Sequence, residues 1–522
     1  MSAPRGWGRT GIVTSLSIVL GVAATAAWPV GPRIDRSSAT AAPQPAQLGL
    51  DPSPSPTDPS PSPTDPSPSP TQESAGPNIV VILTDDQRAD ELREMDTVRT
   101  ELVDRGLLFE RAFNTNPLCC PARASLLTGL YSHHTGVWTN GDEGGELGGY
   151  PAFLSNGNES RTIAAVLDDA GYHTGLVGKY LNNAVDTPVP AGWDSWVAFN
   201  EVNGRYFDYE LVVDTDTADA VAPTMEAHAG EAGDYSTDVL AQRAIAFVEV
   251  APADAPLFLL LATYAPHGVS TPALRHEGIF ADLPVALGDA YNEANVADKP
   301  GYIRELPRFP STSARRFKRI SRMRLESLEA VDEAVAKLLA ALDASGRLHD
   351  TVIVFTSDNG QSLGEHRWTY KLAPYEETIR VPMVVRWDAG IAPAQRTSAL
   401  ALNIDVAPTL ADLAGTHMSQ VVDGRSLIPT FDDPSEQLRN EFLIEHVEFR
   451  FEKPDAPSYF AIRHRSERIY VRYATGEEEF YNLRTDPAQL RNAIGTGGNV
   501  LTQLRQRASE TCPFADIPGF PA

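Results

Sequence analysis

The sequence predicts an α/β protein whose sheet is covered by helices on both faces, and three observations carry that reading. Apolar runs rich in Val, Ile and Leu end abruptly in polar clusters: "PNIVVILTDDQR" at 77–88, "APLFLLLATYAPHG" at 255–268 and "DTVIVFTSDNGQSLGEH" at 350–366. Runs of this length and composition are strands buried on both faces. Helical patterns stand between them, "RTIAAVLDDAG" at 161–171 and "RLESLEAVDEAVAKLLAALDASG" at 324–346. The polar clusters fall at the carboxyl ends of the strands, where ligand sites gather in sheets of this class.

The first seventy-odd residues stand apart from that pattern. Arg5 and Arg9 precede the apolar run "GIVTSLSIVLGVAATAAW" at 11–28, which contains the small-residue site Ala24-Thr25-Ala26. This reads as an export signal, with a retained signal anchor as the alternative. Next, "DPSPSPT" occurs three times without error between Asp51 and Thr71. Alternating prolines fix φ and remove amide donors, so the segment is expected to be an extended, polyproline-like spacer. No later apolar run is long enough to span a bilayer.

From Asn78 onward the strand and helix patterns alternate until about residue 430, where the texture changes. "YFAIRHRSERIYVRYATGEEEFYNLRTDP" alternates in short runs separated by turn signals, which predicts a small antiparallel sheet. At 522 residues, 42% hydrophobic and 21% charged, the chain can bury a large core. Its formal net charge of −26 argues against a nucleic-acid or anionic-membrane binder. An anionic substrate would need a locally positive pocket. Three cysteines are too few for a disulfide framework.

Asp85-Asp86 and Asp358-Asn359 follow two of the strands at once and offer only oxygen ligands. Such a set suits calcium or magnesium and suits zinc or copper poorly. Taken singly, each pair also fits a helix cap or a solvated turn. The reacting group is sought in "NPLCCPARASLLTG" at 116–129, where two of the three cysteines are adjacent.

Cys119, Pro121, Arg123 and the following Leu126-Leu127-Thr128-Gly129 form a C-x-P-x-R…LLTG pattern that resembles the sulfatase signature. "GYHTGLVGKYL" at 171–181 is similar to the second signature of that family, and the resemblance runs from about Asn78 to the C-terminus. "CCPAR", "GKYLNN" and "SWVAFNEVNGRYFDYEL" look most like the branch containing N-acetylglucosamine-6-sulfatases. The resemblance implies an alkaline-phosphatase-like fold: a mixed sheet with helices on both faces and a small C-terminal antiparallel subdomain. Together with the N-terminal segments and the change of texture after about residue 430, this divides the chain into a signal at 1–27, a Pro/Ser-rich spacer expected to be disordered at 28–76, a catalytic domain at 77–430 and a C-terminal subdomain at 431–522.

The resemblance also implies the chemistry. Cys119 would be oxidised to formylglycine by a formylglycine-generating enzyme acting on the unfolded chain, while Cys120 is the variable residue inside the motif. A thiolate attacking sulfur would leave an ester with no easy exit. A hydrated aldehyde offers one hydroxyl to attack sulfur and a second to expel sulfate. Asp85, Asp86, Asp358 and Asn359 would hold one divalent cation together with modified Cys119, calcium first and magnesium as the alternative. Arg123 would hold the hydrate, Lys179 and Lys371 would neutralise the sulfate oxygens, and His267 would protonate or stabilise the leaving alkoxide.

Two departures from the family stand out. Ala122 occupies a position where serine is common, and Leu181 stands where many members have a histidine credited with the release step. The base for that step is therefore unassigned, with His133 and His134 as candidates. Cys120 and Cys512 read as small apolar residues, with a disulfide between them as the alternative.

The expected substrate is a sulfated sugar such as N-acetylglucosamine-6-sulfate, met by an exported or cell-surface enzyme. A phosphonate monoester or phosphodiester hydrolase is the nearest rival, and Asn359, where such enzymes tend to have histidine, argues for sulfate. An inactive glycan-binding wall protein is a third reading, opposed by the intact set of motif residues. The basic run "ARRFKRISRMR" at 314–324 reads either as a guide for a polysulfated glycan or as the exposed start of a helix.

Overall fold

The computed structural model describes residues 76–141, 147–200, 204–218, 222–448 and 455–511. The export signal, the spacer up to residue 75 and Cys512 lie outside the described residues. Among the described residues, no helix is long and apolar enough to cross a membrane.

Ten strands form the main sheet. From one edge they run Gln395–Thr397, Leu107–Phe109, Met383–Arg386, Thr351–Ser357, Asn78–Thr84, Leu257–Ala262, His173–Gly178, Ser195–Phe199, Tyr209–Asp214 and Thr224–His228. The five from Thr351–Ser357 to Ser195–Phe199 are mutually parallel, while Met383–Arg386 and the strands beyond Ser195–Phe199 pair antiparallel, so the sheet is mixed.

The central strand shows why the apolar runs were unbroken. Ile79, Val81 and Leu83 enter one core, and Val80 and Ile82 enter the other. The first core includes residues of helices Cys119–Thr128, Ile163–Asp169 and Val406–Leu413. Helices Ser236–Val250 and Ser313–Ala344 pack on each other over the second. With helices on both faces, side chains of either parity are buried, and alternation disappears.

A four-stranded antiparallel meander, Glu441–His446, Tyr459–His464, Arg468–Tyr473 and Glu478–Asn482, follows. One of its faces joins a core with Phe113, Leu118, Trp368, Leu372 and Tyr375, beside the start of the Cys119 helix. The other face packs against the C-terminal helix Gly498–Thr511.

Candidate active site

The register of the parallel strands aligns their carboxyl ends. Leu83 pairs with Thr356 on one side and Ala262 on the other, and Ala262 pairs with Gly178. The residues that follow these four neighbouring strands are Asp85-Asp86, Asp358-Asn359, the Thr263–His267 loop and Lys179. Gly178 is required at its strand end: its φ is +115°, and a Cβ there would lie 2.0 Å from the Ala262 carbonyl oxygen. That close approach lets the Lys179 amide donate to the same carbonyl at 2.8 Å.

Cys119 begins a ten-residue helix and is fully buried. Its Sγ lies 3.5 Å from Asp85 Oδ1, 4.0 Å from Asp86 Oδ1 and 2.7 Å from Lys371 Nζ. Lys371 Nζ also donates to Asp86 Oδ1 at 2.6 Å, and Lys179 Nζ donates to Asp85. One helical turn after Cys119, Arg123 donates from Nε to Asp358 Oδ2 at 2.8 Å and from Nη1 to the Lys179 carbonyl at 2.8 Å. The Asp86 amide donates to Asp358 Oδ1 at 3.0 Å, and Asn359 Nδ2 donates to Asp86 Oδ1 at 2.5 Å. His267 Nε2 is 3.7 Å from Asp86 Oδ2, and its Nδ1 is 2.8 Å from the Tyr264 hydroxyl. All nine residues singled out from the sequence therefore meet in one place.

The electrostatics of this cluster follow from its dryness. Burial alone would raise the carboxyls of Asp85 and Asp86. The Lys179 ammonium beside Asp85 and the Lys371 ammonium beside Asp86 outweigh it and hold both below the usual carboxylate range. The same burial, reinforced by the Asp85 charge, pushes the Cys119 thiol well above its ordinary value. As a neutral thiol it is a poor nucleophile. Burial lowers His267, partly opposed by Asp85 and Asp86. Cys120, whose amide donates to Asn140, is pushed up to about 12 by burial and is an inert apolar residue.

Asp85, Asp86, Cys119 and His267 each offer a ligand atom within 4.8 Å of the others, a grouping that could hold a metal ion. Asn359 Oδ1 is buried and accepts no hydrogen bond among the described residues. A buried carbonyl oxygen left unpaired beside two ionised carboxylates suits a hard cation.

Other contributors escaped the sequence reading. Arg324, the last residue of the basic run, is fully buried. It donates to the Asp86 carbonyl at 2.6 Å, the Pro266 carbonyl at 3.3 Å and Gln361 Oε1 at 2.6 Å, and is held by Glu91 at 2.6 and 2.9 Å. It thus ties the acidic loop to the His267 loop. The Trp368 indole donates to the Lys371 carbonyl at 2.8 Å, fixing a loop in which His366, Arg367 and Leu372 all have positive φ. A basic residue and a tryptophan carry no motif, so no local signal marked either.

Each of the two candidate bases has a carboxylate partner. His133 Nδ1 lies 2.5 Å from Glu445 Oε1, and His134 Nδ1 lies 2.7 Å from Asp423 Oδ2. Gly129, with φ +72°, ends the Cys119 helix before either histidine is reached. Leu181 is buried in the apolar core.

The family model described as Sulfatase matches residues 77–416, and that described as N-sulphoglucosamine sulphohydrolase, C-terminal, matches 364–511. The chain is 31% identical over 497 residues to the N-acetylglucosamine-6-sulfatase of Homo sapiens, covering 85% of this chain and 87% of the relative. It is 33% identical over 379 residues to the "Extracellular sulfatase SULF-1 homolog" of Drosophila melanogaster, covering 71% of this chain but 33% of that longer relative. A solved structure in complex with its substrate D-glucosamine-2-N,6-O-disulfate superposes with a TM-score of 0.69 at 25% identity, over 84% of this chain and 97% of that one. The phosphonate monoester hydrolase of Agrobacterium radiobacter shares the fold, with a TM-score of 0.65 at 22% identity over 83% and 95% of the two chains.

Proposed function

The chain belongs to the sulfatase family and is a sulfuric ester hydrolase, and from that premise we propose that it removes 6-O-sulfate from an N-acetylglucosamine-type sugar using Cys119 as formylglycine. The observation that carries this reading is the burial of Cys119 between two carboxylates and Lys371, in a setting that disarms the thiol. A host formylglycine-generating enzyme would install the aldehyde, whose hydrate supplies one hydroxyl to displace the alcohol and another to expel sulfate. Asp85, Asp86, Asp358 and Asn359 would hold a divalent cation, calcium first, which supplies polarisation of the S–O bonds and a lowered pKa for the attacking hydroxyl.

The chain's own residues divide the remaining work. Arg123 is pinned by Asp358 and the Lys179 carbonyl, which supports a role in orienting the group at position 119. Lys179 beside Asp85, and Lys371 beside Asp86 and Cys119, bring two ammonium groups into the cluster and would meet the sulfate oxygens. His267 would hand a proton from Nε2 to the leaving sugar oxygen, with the Tyr264 hydroxyl at Nδ1 orienting the ring. The sugar reading is supported by the names of the N-acetylglucosamine-6-sulfatase relative and of the structure holding a glucosamine disulfate. An exported location is supported by the extracellular Drosophila relative and by the apolar run at 11–28.

Ion chromatography tests the proposal, reading sulfate released from N-acetylglucosamine-6-sulfate and from a 4-O-sulfated sugar, and phosphonate released from a phosphonate monoester. The expected result is turnover of the 6-sulfate at least tenfold above the other two. Preferred cleavage of the phosphonate would overturn it.

A further inference from the structure

The helix Ser313–Ala344 begins with the basic run, and its two faces have separate fates. Phe317 and Arg324 point into the protein and are buried. Arg315, Arg316, Lys318, Arg319 and Arg322 are exposed or half-buried, and at 3.6 residues per turn they share about 160° of the helix circumference. They span about 10 Å along the axis. Arg322 also donates to the Leu283 carbonyl. Among the described residues, none of the five forms an ion pair.

That arrangement runs against helix electrostatics in two ways. The amino end of a helix carries a partial positive charge, so cations there are unfavourable, and the first turn holds no acid to offset them. Arg315 with Arg319 and Lys318 with Arg322 are like charges four residues apart, which also repel. Several exposed arginines elsewhere, Arg99, Arg105, Arg275, Arg505 and Arg507, each pair with a carboxylate. Exposed arginines that form no ion pair among the described residues, such as Arg308, Arg425, Arg465, Arg484 and Arg491, stand singly along the chain rather than grouped on one helix face. In a chain with 69 acidic and 43 basic residues, an unpaired cationic strip at the wrong end of a helix does not serve folding.

The strip shares its helix with a residue that braces the site. Arg324, on the same helix, donates to the Asp86 and Pro266 carbonyls. Arg315 is about 14 Å from it along the axis and on the opposite, outward face of the helix.

We propose that this strip is an anchoring surface for a sulfated polysaccharide, so that the enzyme acts on sugars within or at the end of a polyanionic chain. The inference rests on the sulfated-sugar reading of the site. The acidic surface as a whole repels such a chain, and the strip supplies the local attraction that lets it dock. Its binding is ionic and weakens as salt rises.

The test compares wild type with the triple variant Arg315→Ser/Lys318→Ser/Arg319→Ser and with Arg315→Lys/Arg319→Lys, which keeps the charge. Binding is measured to heparin, to unsulfated polygalacturonate and to duplex DNA, with sulfate release from N-acetylglucosamine-6-sulfate in parallel. Wild type should bind heparin at least tenfold more tightly than the other two polymers. The triple variant should lose at least tenfold in heparin affinity, the Lys variant should retain it, and monosaccharide turnover should stay within twofold in both. The triple variant should melt no lower than wild type, since it removes like charges. Undiminished heparin binding by the triple variant, or equal wild-type binding of all three polymers, would overturn the proposal. Failure of wild type to release sulfate would sink the reading of the site, while the heparin measurement would still report on the strip.

Discussion

Two of the regions that bury charge, the ends of the parallel strands and the C-terminal sheet, stabilise it differently. At the strand ends Asp85, Asp86 and Asp358 face Arg123, Lys179 and Lys371, three against three. In the C-terminal sheet the fully buried Glu479 accepts hydrogen bonds from the hydroxyls of Tyr375, Tyr473 and Tyr481, all neutral groups. Opposite charges hold Asp85 and Asp86 ionised, whereas burial raises the carboxyl of Glu479 despite its tyrosine partners. A dry site that must handle an anion and a cation keeps its charges. A dry site that only joins strands can give its charge up.

If the difference is functional, disturbing the first region should be far more damaging than disturbing the second. The largest effect is expected for Cys119→Ala, which should lower sulfate release by at least about 10⁴-fold with the far-UV circular dichroism unchanged. Lys371→Met comes next. It should reduce kcat by about 10²–10³-fold, as loss of a group facing developing negative charge does. Because it strands Asp86, it should also destabilise the fold by about 3–5 kcal/mol in urea titration. Equal activity of this variant and wild type would remove Lys371 from the chemistry.

Arg324→Met sharpens the comparison, since Arg324 touches only backbone at the site. It should cost about 3 kcal/mol of stability as Glu91 loses its partner. It should also lower kcat about tenfold through misplacement of the Asp86 and His267 loops. The smallest effect on turnover is expected for Glu479→Gln, within twofold of wild type. Its signature is in pH. A carboxyl raised above 4.5 by folding stabilises the native state below that value, and the benefit is lost as pH rises through the raised native value. Urea midpoints measured across that window should fall for wild type and stay flatter for Glu479→Gln. Identical slopes would mean that Glu479 is ionised in both states.

The sequence exposed the strand ends because their causes are local. An apolar run, its abrupt end and the acids that follow are neighbours in the chain, and the parallel register then lines up four such ends. Arg324 was opaque because its meaning comes from Asp86, 238 positions away. The five cations before it lie on the other face of the same helix, so the run "ARRFKRISRMR" conflated a strip with a buried brace. For His133 and His134 the chain neighbourhood of Cys119 did not show their partners: the left-handed Gly129 ends the helix before them, and their rings bond Glu445 and Asp423. The antiparallel edge through Tyr209–Asp214 and Thr224–His228 and the C-terminal helix Gly498–Thr511 likewise carried no distinctive pattern.

We infer that the disarmed thiol at position 119 is the precursor of the working group. Mass spectrometry of the peptide spanning Cys119, on protein purified from its native host and assayed in parallel for sulfate release, tests it most directly. The aldehyde or its hydrate is expected at Cys119 in the active protein, with activity scaling with the modified fraction. Full activity in protein whose Cys119 is entirely an unmodified thiol would contradict it.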